Sequence, residues 1–160
     1  MADAGVFSSH EIVEMAIQTE QSGFQFYLHA ADKVASKPVS EMLAWLSRQE
    51  AEHERIFRTM QTESDRHMPP EEYEGERAEY VQALLDVRVL PDVETGLARL
   101  AAMKEDIEVV DFAIGFEKDT ILFMYVMRDM SAPAAGETID QLIAQEKGHV
   151  ARLLQLKAQL

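Results

Sequence analysis

Two short segments place a glutamate three positions ahead of a histidine: Glu50 and His53 in QEAEH, and Glu146 and His149 in QEKGH. On a helix this spacing puts both side chains on one face. Each segment therefore aims a carboxylate and an imidazole at a common point. The chain has five histidines, and two are used this way. Two further glutamates, Glu20 and Glu117, fall on apolar helical stripes that carry no lysine or arginine. A buried, unpaired carboxylate is costly enough that it ordinarily takes up a proton instead. Four of them facing one core point to cations. Two divalent ions would cancel the four charges, and the two imidazoles would supply neutral nitrogen ligands. Glu20, Glu50, His53, Glu117, Glu146 and His149 are the candidate metal ligands.

Long helices must position these groups. Helical spacing of apolar residues predicts four, over about 9–35, 39–60, 105–130 and from about 137 to the C-terminus. Ser9 suits an N-cap, and Ser36-Lys37-Pro38 suits the end of the first helix. The first stripe reads Val13, Ala16, Ile17, Glu20, Phe24, Tyr27, Ala31, Val34, and the second Met42, Leu46, Glu50, His53, Phe57, Met60. The third reads Ile107, Val110, Ile114, Glu117, Ile121, Met124, Tyr125, and the fourth Ile139, Leu142, Glu146, His149, Leu153, Leu156. Residues 61–104 form a crossover, with the polar loop ESDRHMPPEEYEGE and two shorter helices around Pro91. The midpoint of Glu20 and Glu50 falls in the first predicted turn, and that of Glu117 and Glu146 falls at Ser131–Ala132. In each antiparallel hairpin the two glutamates thus stand at one height, roughly 20 Å from the turn at the helical rise per residue. The two halves form an internal repeat, which suits a two-metal site. The expected fold is an all-α four-helix bundle in one domain spanning 1–160, with 1–8 as a flexible tail.

Composition narrows the chemistry. The chain has no cysteine, which excludes disulfides, thiolate zinc sites, iron–sulfur ligation and thiol redox catalysis by this chain alone. A formal charge of −14 disfavours nucleic-acid phosphates. No apolar run approaches the ~18 residues of a membrane helix, and the first residues lack signal-peptide character. A soluble, cytoplasmic protein is expected. Gln49 and Gln145 each lie four residues before a motif histidine, placed to accept an imidazole N–H, on the same helix or across the bundle, and orient the ring. Tyr27 and Tyr125 lie two turns past Glu20 and Glu117, placed to hydrogen-bond a ligand carboxylate or supply an electron. His10 reads as a helix-start residue, His67 as a loop residue and His29 as lying off the stripe. Met124, Met127 and Met130 read as core filler.

Carboxylates from two helices combined with Glu-x-x-His from two others resemble the ferritin-like di-iron carboxylate superfamily. Within it, AIQTEQSGFQFYLHAA, RQEAEHERIF, GFEKDTILFMY and AQEKGHVARL look most like the rubrerythrin group. The resemblance implies that Glu50 and Glu146 bridge two irons, that Glu20 and Glu117 are terminal ligands, and that His53 and His149 each bind one metal. Three departures stand out. The four-cysteine rubredoxin site is missing. Thr120 stands where the group usually carries a further carboxylate one turn past Glu117. The 61–104 crossover is also longer than the group's compact one. The expected activity is that of a di-iron oxidoreductase reducing H2O2 or O2, with electrons from a separate donor such as a rubredoxin-type protein. A ferroxidase for iron storage and a non-catalytic, metal-stabilised bundle are the alternatives. Manganese or zinc also suits the donor set. The resemblance further implies a homodimer or higher assembly.

Overall fold

The computed structural model describes residues 7–67, 72–73, 79–80, 82–83 and 92–160. Among the described residues, five helices carry the fold: α1 (Ser9–Lys33), α2 (Lys37–His67), α3 (Val93–Ala102), α4 (Asp106–Asp129) and α5 (Pro133–Lys157). α1 packs along α2 as one hairpin and α4 along α5 as the other, while α1 meets α4 and α2 meets α5 across the bundle. The fold is the expected all-α four-helix bundle. It adds one small feature to that expectation: β1 (Phe7–Ser8) pairs antiparallel with β2 (Glu72–Tyr73). The last two residues of the expected tail are thus paired with the crossover. Residues 1–6 and most of 68–91 lie outside the described residues, and of the expected helix before Pro91 only 79–80 and 82–83, which are helical, are described.

Three helix ends differ from expectation. α2 continues to His67, so this histidine ends a helix rather than sitting in a loop. α5 begins at Pro133, four residues early, because proline suits the first helical turn: its φ is preset and its missing N–H would have been unpaired there anyway. Ser9 opens α1 as a helical residue.

Side chains join the ends of neighbouring elements. Asp106, the first residue of α4, accepts hydrogen bonds from the backbone N–H groups of Ala35 (3.0 Å) and Ser36 (2.7 Å). It thereby caps the turn that leads into α2 and fastens one hairpin to the other. Glu108 accepts from the N–H groups of Lys104 and Glu105, satisfying donors at the start of α4. The Lys33 ammonium donates to the carbonyls of Leu100 (2.6 Å) and Ala101 (3.0 Å), a cation at the C-terminal end of α3. Asp92 caps the other end of α3 by accepting from Thr95 N–H.

The interior divides into two apolar clusters. One gathers Phe26, Tyr27, Ala30, Leu43, Leu46, Val110, Phe116 and Leu153. The other gathers Ile12, Ile17, Phe57, Phe123, Met124, Met127, Ile139 and Ile143. Along every long helix the candidate ligands fall between the two. Phe26, Leu43, Phe116 and Phe123, absent from the sequence stripes, are core residues. Phe24, Met42, Ile114 and Ile121, all on the stripes, are only half-buried. Each helix meets more than one neighbour, so it buries an arc wider than a single line of residues.

If Asp106 joins the hairpins as described, Asp106→Ala should cost about 1 kcal/mol, a typical value for a lost cap. In a chain of this size that corresponds to roughly 2–4 °C in Tm, read by thermal unfolding. An unchanged Tm would show that water replaces the carboxylate without loss.

Candidate metal centre

Helical register brings all six predicted ligands to one level of the bundle. α1 supplies Glu20, α2 supplies Glu50 and His53, α4 supplies Glu117, and α5 supplies Glu146 and His149. Each lies mid-helix between apolar neighbours, and none is more than 2% exposed.

The atoms form two overlapping groups. Glu20, Glu50, His53 and Glu146 place one donor atom each within 4.8 Å of the others, and so do Glu50, Glu117, Glu146 and His149. Glu50 and Glu146 belong to both. His53 Nδ1 lies 2.7 Å from Glu146 Oε1 and 3.6 Å from Glu20 Oε2. His149 Nδ1 lies 2.8 Å from Glu146 Oε2 and 3.4 Å from Glu117 Oε2. The two oxygens of Glu146 thus face opposite halves of the site. The imidazoles stack nearly parallel, 5.6 Å apart at 11°.

Neighbouring groups orient the ligands. His53 Nε2 lies 3.0 Å from Gln145 Oε1, reaching across from α2 to α5. With the amide oxygen accepting the Nε2 proton, Nδ1 is turned to the carboxylates: it carries a proton toward them in the metal-free site and would offer its lone pair once metal displaces that proton. No such bond joins Gln49 to His149. Instead the His149 ring meets Trp45 edge-on, a contact the sequence reading missed. The Tyr27 hydroxyl donates to Glu117 Oε1. Tyr125, expected in the matching role, does not reach the cluster. Its ring is half-buried, its hydroxyl accepts from the Lys147 ammonium, and Arg128 lies over its face. A tyrosine eight residues past Glu117, rather than seven, is turned further around the helix. His10 and His29 are exposed and away from the cluster, and Met124 and Met127 are core.

The electrostatics reflect crowding. Burial, then neighbouring carboxylates, push Glu50 and Glu117 well above the usual carboxylate range. Burial also raises Glu20, with His53 partly offsetting it. Burial opposes the charge on His53, yet the Glu146 and Glu20 carboxylates outweigh it and push the ring up to about 11. His149 rises likewise to about 9 against burial, through Glu117 and Glu146. For Glu146 burial is overcome by hydrogen bonds from Glu117, His149 and His53, which hold it below its ordinary value. Burial and then Glu117 raise Tyr27 well above 10 and keep it a hydrogen-bond donor.

The residues fit a pair of divalent ions. Glu20 Oε2, both oxygens of Glu50, both of Glu146 and His53 Nδ1 are buried and face one another, with no hydrogen-bond partner outside the cluster. Buried lone pairs converging in this way suit coordination, since protein donors leave them unsatisfied. Gly23, one turn past Glu20, makes room for the arrangement. A Cβ there would lie 2.7 Å from Glu50 Oε2 and 2.7 Å from the Phe116 ring.

Fold and site together define a ferritin-like bundle enclosing a twinned carboxylate–imidazole cluster. The chain matches the Rubrerythrin family model over residues 11–157 and belongs to that family. Among solved structures it is similar to a Thermotoga maritima protein described as a ferritin-like diiron-carboxylate protein. The two share 27% identity and a TM-score of 0.75, with 96% of each chain covered. A hypothetical protein of Pyrococcus furiosus shares the fold at 20% identity, TM-score 0.67, covering 95% of this chain and 89% of that one. No protein of curated function matches the chain.

Two predictions follow from this geometry. Purified protein should bind about two divalent ions per chain, because the donors form two groups. Glu50→Ala/Glu146→Ala should abolish binding at both, whereas His53→Ala should weaken mainly one. Full metal content in the double variant, measured by elemental analysis, would refute the shared-ligand assignment.

The second concerns pH. Glu20, Glu50, Glu117, His53 and His149 all have folded values above their unfolded ones. Their contribution to the metal-free fold is fully present below the unfolded values of 4.5 and 6.5. It is lost as pH rises through the folded ones, toward about 9 for His149 and about 11 for His53. Glu146 has the opposite sign: its contribution is fully present above 4.5 and is lost as pH falls below that value. Metal-free protein should therefore melt highest in mild acid and lower as pH rises. Metal loading should raise Tm most near and above neutrality, where ions replace protons. Superimposable melting curves with and without metal across that range would contradict this.

Proposed function

We propose that this chain is a di-iron oxidoreductase that reduces hydrogen peroxide or dioxygen, drawing electrons from a separate donor protein. The observation that carries this reading is the pair of buried four-residue groups sharing Glu50 and Glu146. Shared in this way, Glu50 and Glu146 would hold two ions close enough to act on both ends of one O–O bond. The family and the diiron-carboxylate description of the Thermotoga protein support iron. Bound iron supplies two electrons, one from each ion, for reducing the O–O bond.

The remaining chemistry belongs to the protein's side chains. Gln145 holds the His53 proton at Nε2, so Nδ1 stays a donor to metal. Tyr27 holds its proton against Glu117 Oε1, which withdraws charge from that carboxylate. The apolar clusters above and below exclude bulk water, which strengthens electrostatic interactions inside. With no cysteine in the chain, electrons must arrive from outside it. Among the described residues no helix is long and apolar enough to cross a membrane.

Thr120 bears on the oxidant. It lies one turn past Glu117, 3% exposed, and its hydroxyl has no hydrogen-bond partner. A carboxylate at this position would add negative charge on the Glu117 side of the site and favour the ferric state. Threonine leaves six protein ligands for two ions.

The test is stopped-flow oxidation of the di-ferrous protein by H2O2 and by O2, side by side. Both are expected to react, without a strong preference for peroxide, and Thr120→Glu should move the ratio toward peroxide. A wild-type ratio already strongly favouring peroxide, and unmoved by the substitution, would remove Thr120 from the account. Inertness to both oxidants would remove the oxidoreductase reading. Oxidation of many ferrous ions per chain with mineral formation would favour a ferroxidase instead.

A further inference from the structure

A site whose ligands are all buried exchanges electrons with an outside donor only through intervening side chains. Among the described residues, one aromatic touches a ligand at one edge and reaches the surface at the other. Trp45 is the only tryptophan of the chain. Its half-buried ring meets His149 edge-on, with centroids 5.2 Å apart at 84°. Tyr27, the other aromatic side chain bonded to a ligand, is fully buried and opens to no surface.

The surface over Trp45 is also unusual in charge. The Arg152 guanidinium lies 4.6 Å from the Trp45 ring centroid. Arg48, one turn along α2 from Trp45, is exposed. Arg55, Arg58 and Arg128 each pair with a carboxylate. Arg48 and Arg152 have no carboxylate partner among the described residues. In a chain of charge −14, two guanidiniums without a carboxylate partner thus stand near one tryptophan. The adjoining surface is open as well. Gly148, next to His149 and one turn before Arg152, would meet no atom within 4 Å even if it carried a Cβ.

We propose that Trp45, Arg48 and Arg152 form the docking face for an acidic one-electron carrier protein, and that Trp45 couples the carrier's redox centre to the metal site through His149. This rests on the di-iron reading above. The arginines attract the carrier here while the rest of the negative surface repels it, so charge fixes its orientation. In each transfer the carrier's centre loses one electron and the metal site gains it, leaving the indole unchanged. Two transfers supply what H2O2 and two protons need to become two waters.

Zinc-substituted rubredoxin is a redox-silent acidic probe for docking. The single indole N–H of the zinc-loaded protein gives one resonance, expected to shift on titration together with the Gly148 amide. Arg48→Glu/Arg152→Glu should weaken probe binding about tenfold, as for charges at an interface rim. Anaerobic reduction by iron rubredoxin then separates docking from transfer. The arginine variant should raise the half-saturating rubredoxin concentration. Trp45→Phe and Trp45→Leu should lower the limiting rate, the leucine variant more, in an order that packing alone would not impose. Shifts mapping to another face overturn the proposal. So do wild-type kinetics in these variants while the iron centre still cycles. A protein whose iron reacts with neither peroxide nor O2 removes the oxidoreductase reading first, and this inference with it.

Discussion

Four carboxylates and two imidazoles share one buried layer, with an apolar cluster on either side. Each group alone would resist burial in its charged form. Together they need positive charge, supplied either by protons or by metal. This one demand accounts for much of the molecule. It explains why acidic residues interrupt every long helix at the same height, and why oxygens without a partner outside the cluster collect in the middle of the bundle. It also explains why most of the ionisable groups there shift in the direction that retains protons. The cap from Asp106 serves the same end, since the layer exists only while the two hairpins stay in register.

The layer is built from a repeat, but its surroundings are not repeated. His53 is held by the Gln145 amide, whereas His149 rests against Trp45. Glu117 carries a hydrogen bond from Tyr27, and the corresponding tyrosine of the other half turns outward to Lys147. The two halves therefore offer metal unequal environments. Toward a bound metal, the hydrogen bond from Tyr27 would make Glu117 a weaker electron donor, and the Gln145 contact would prepare His53 as a ligand.

The clustering of the six candidate ligands and the bundle could be read from the sequence because both depend on period. Glu-x-x-His is a local pattern, and equal spacing about two turns ties distant ligands to one height. The surrounding contacts were harder to read, since they depend on how helices rotate against one another. Tyr27 and Tyr125 look alike in sequence, yet one residue of extra spacing separates a buried hydroxyl from a surface one. Gln145 was visible as a candidate through its place four residues before His149, and its partner is the imidazole across the bundle, His53. Trp45 gave no signal, because nothing local marks a ring that will touch a ligand from a different helix. The early start of α5 was missed because Pro133 looked like a break rather than an opening.

Gly23 shows how tightly the layer constrains later change. The backbone of α1 passes so close to Glu50 that a single methyl group would press on an oxygen of that carboxylate and on the Phe116 ring. Glu50 belongs to both donor groups, so the disturbance would not stay local. In evolutionary terms, position 23 is a narrow gate. Most substitutions there would reach both halves of the site in a single mutational step, while the exposed faces of the same helix remain free to drift.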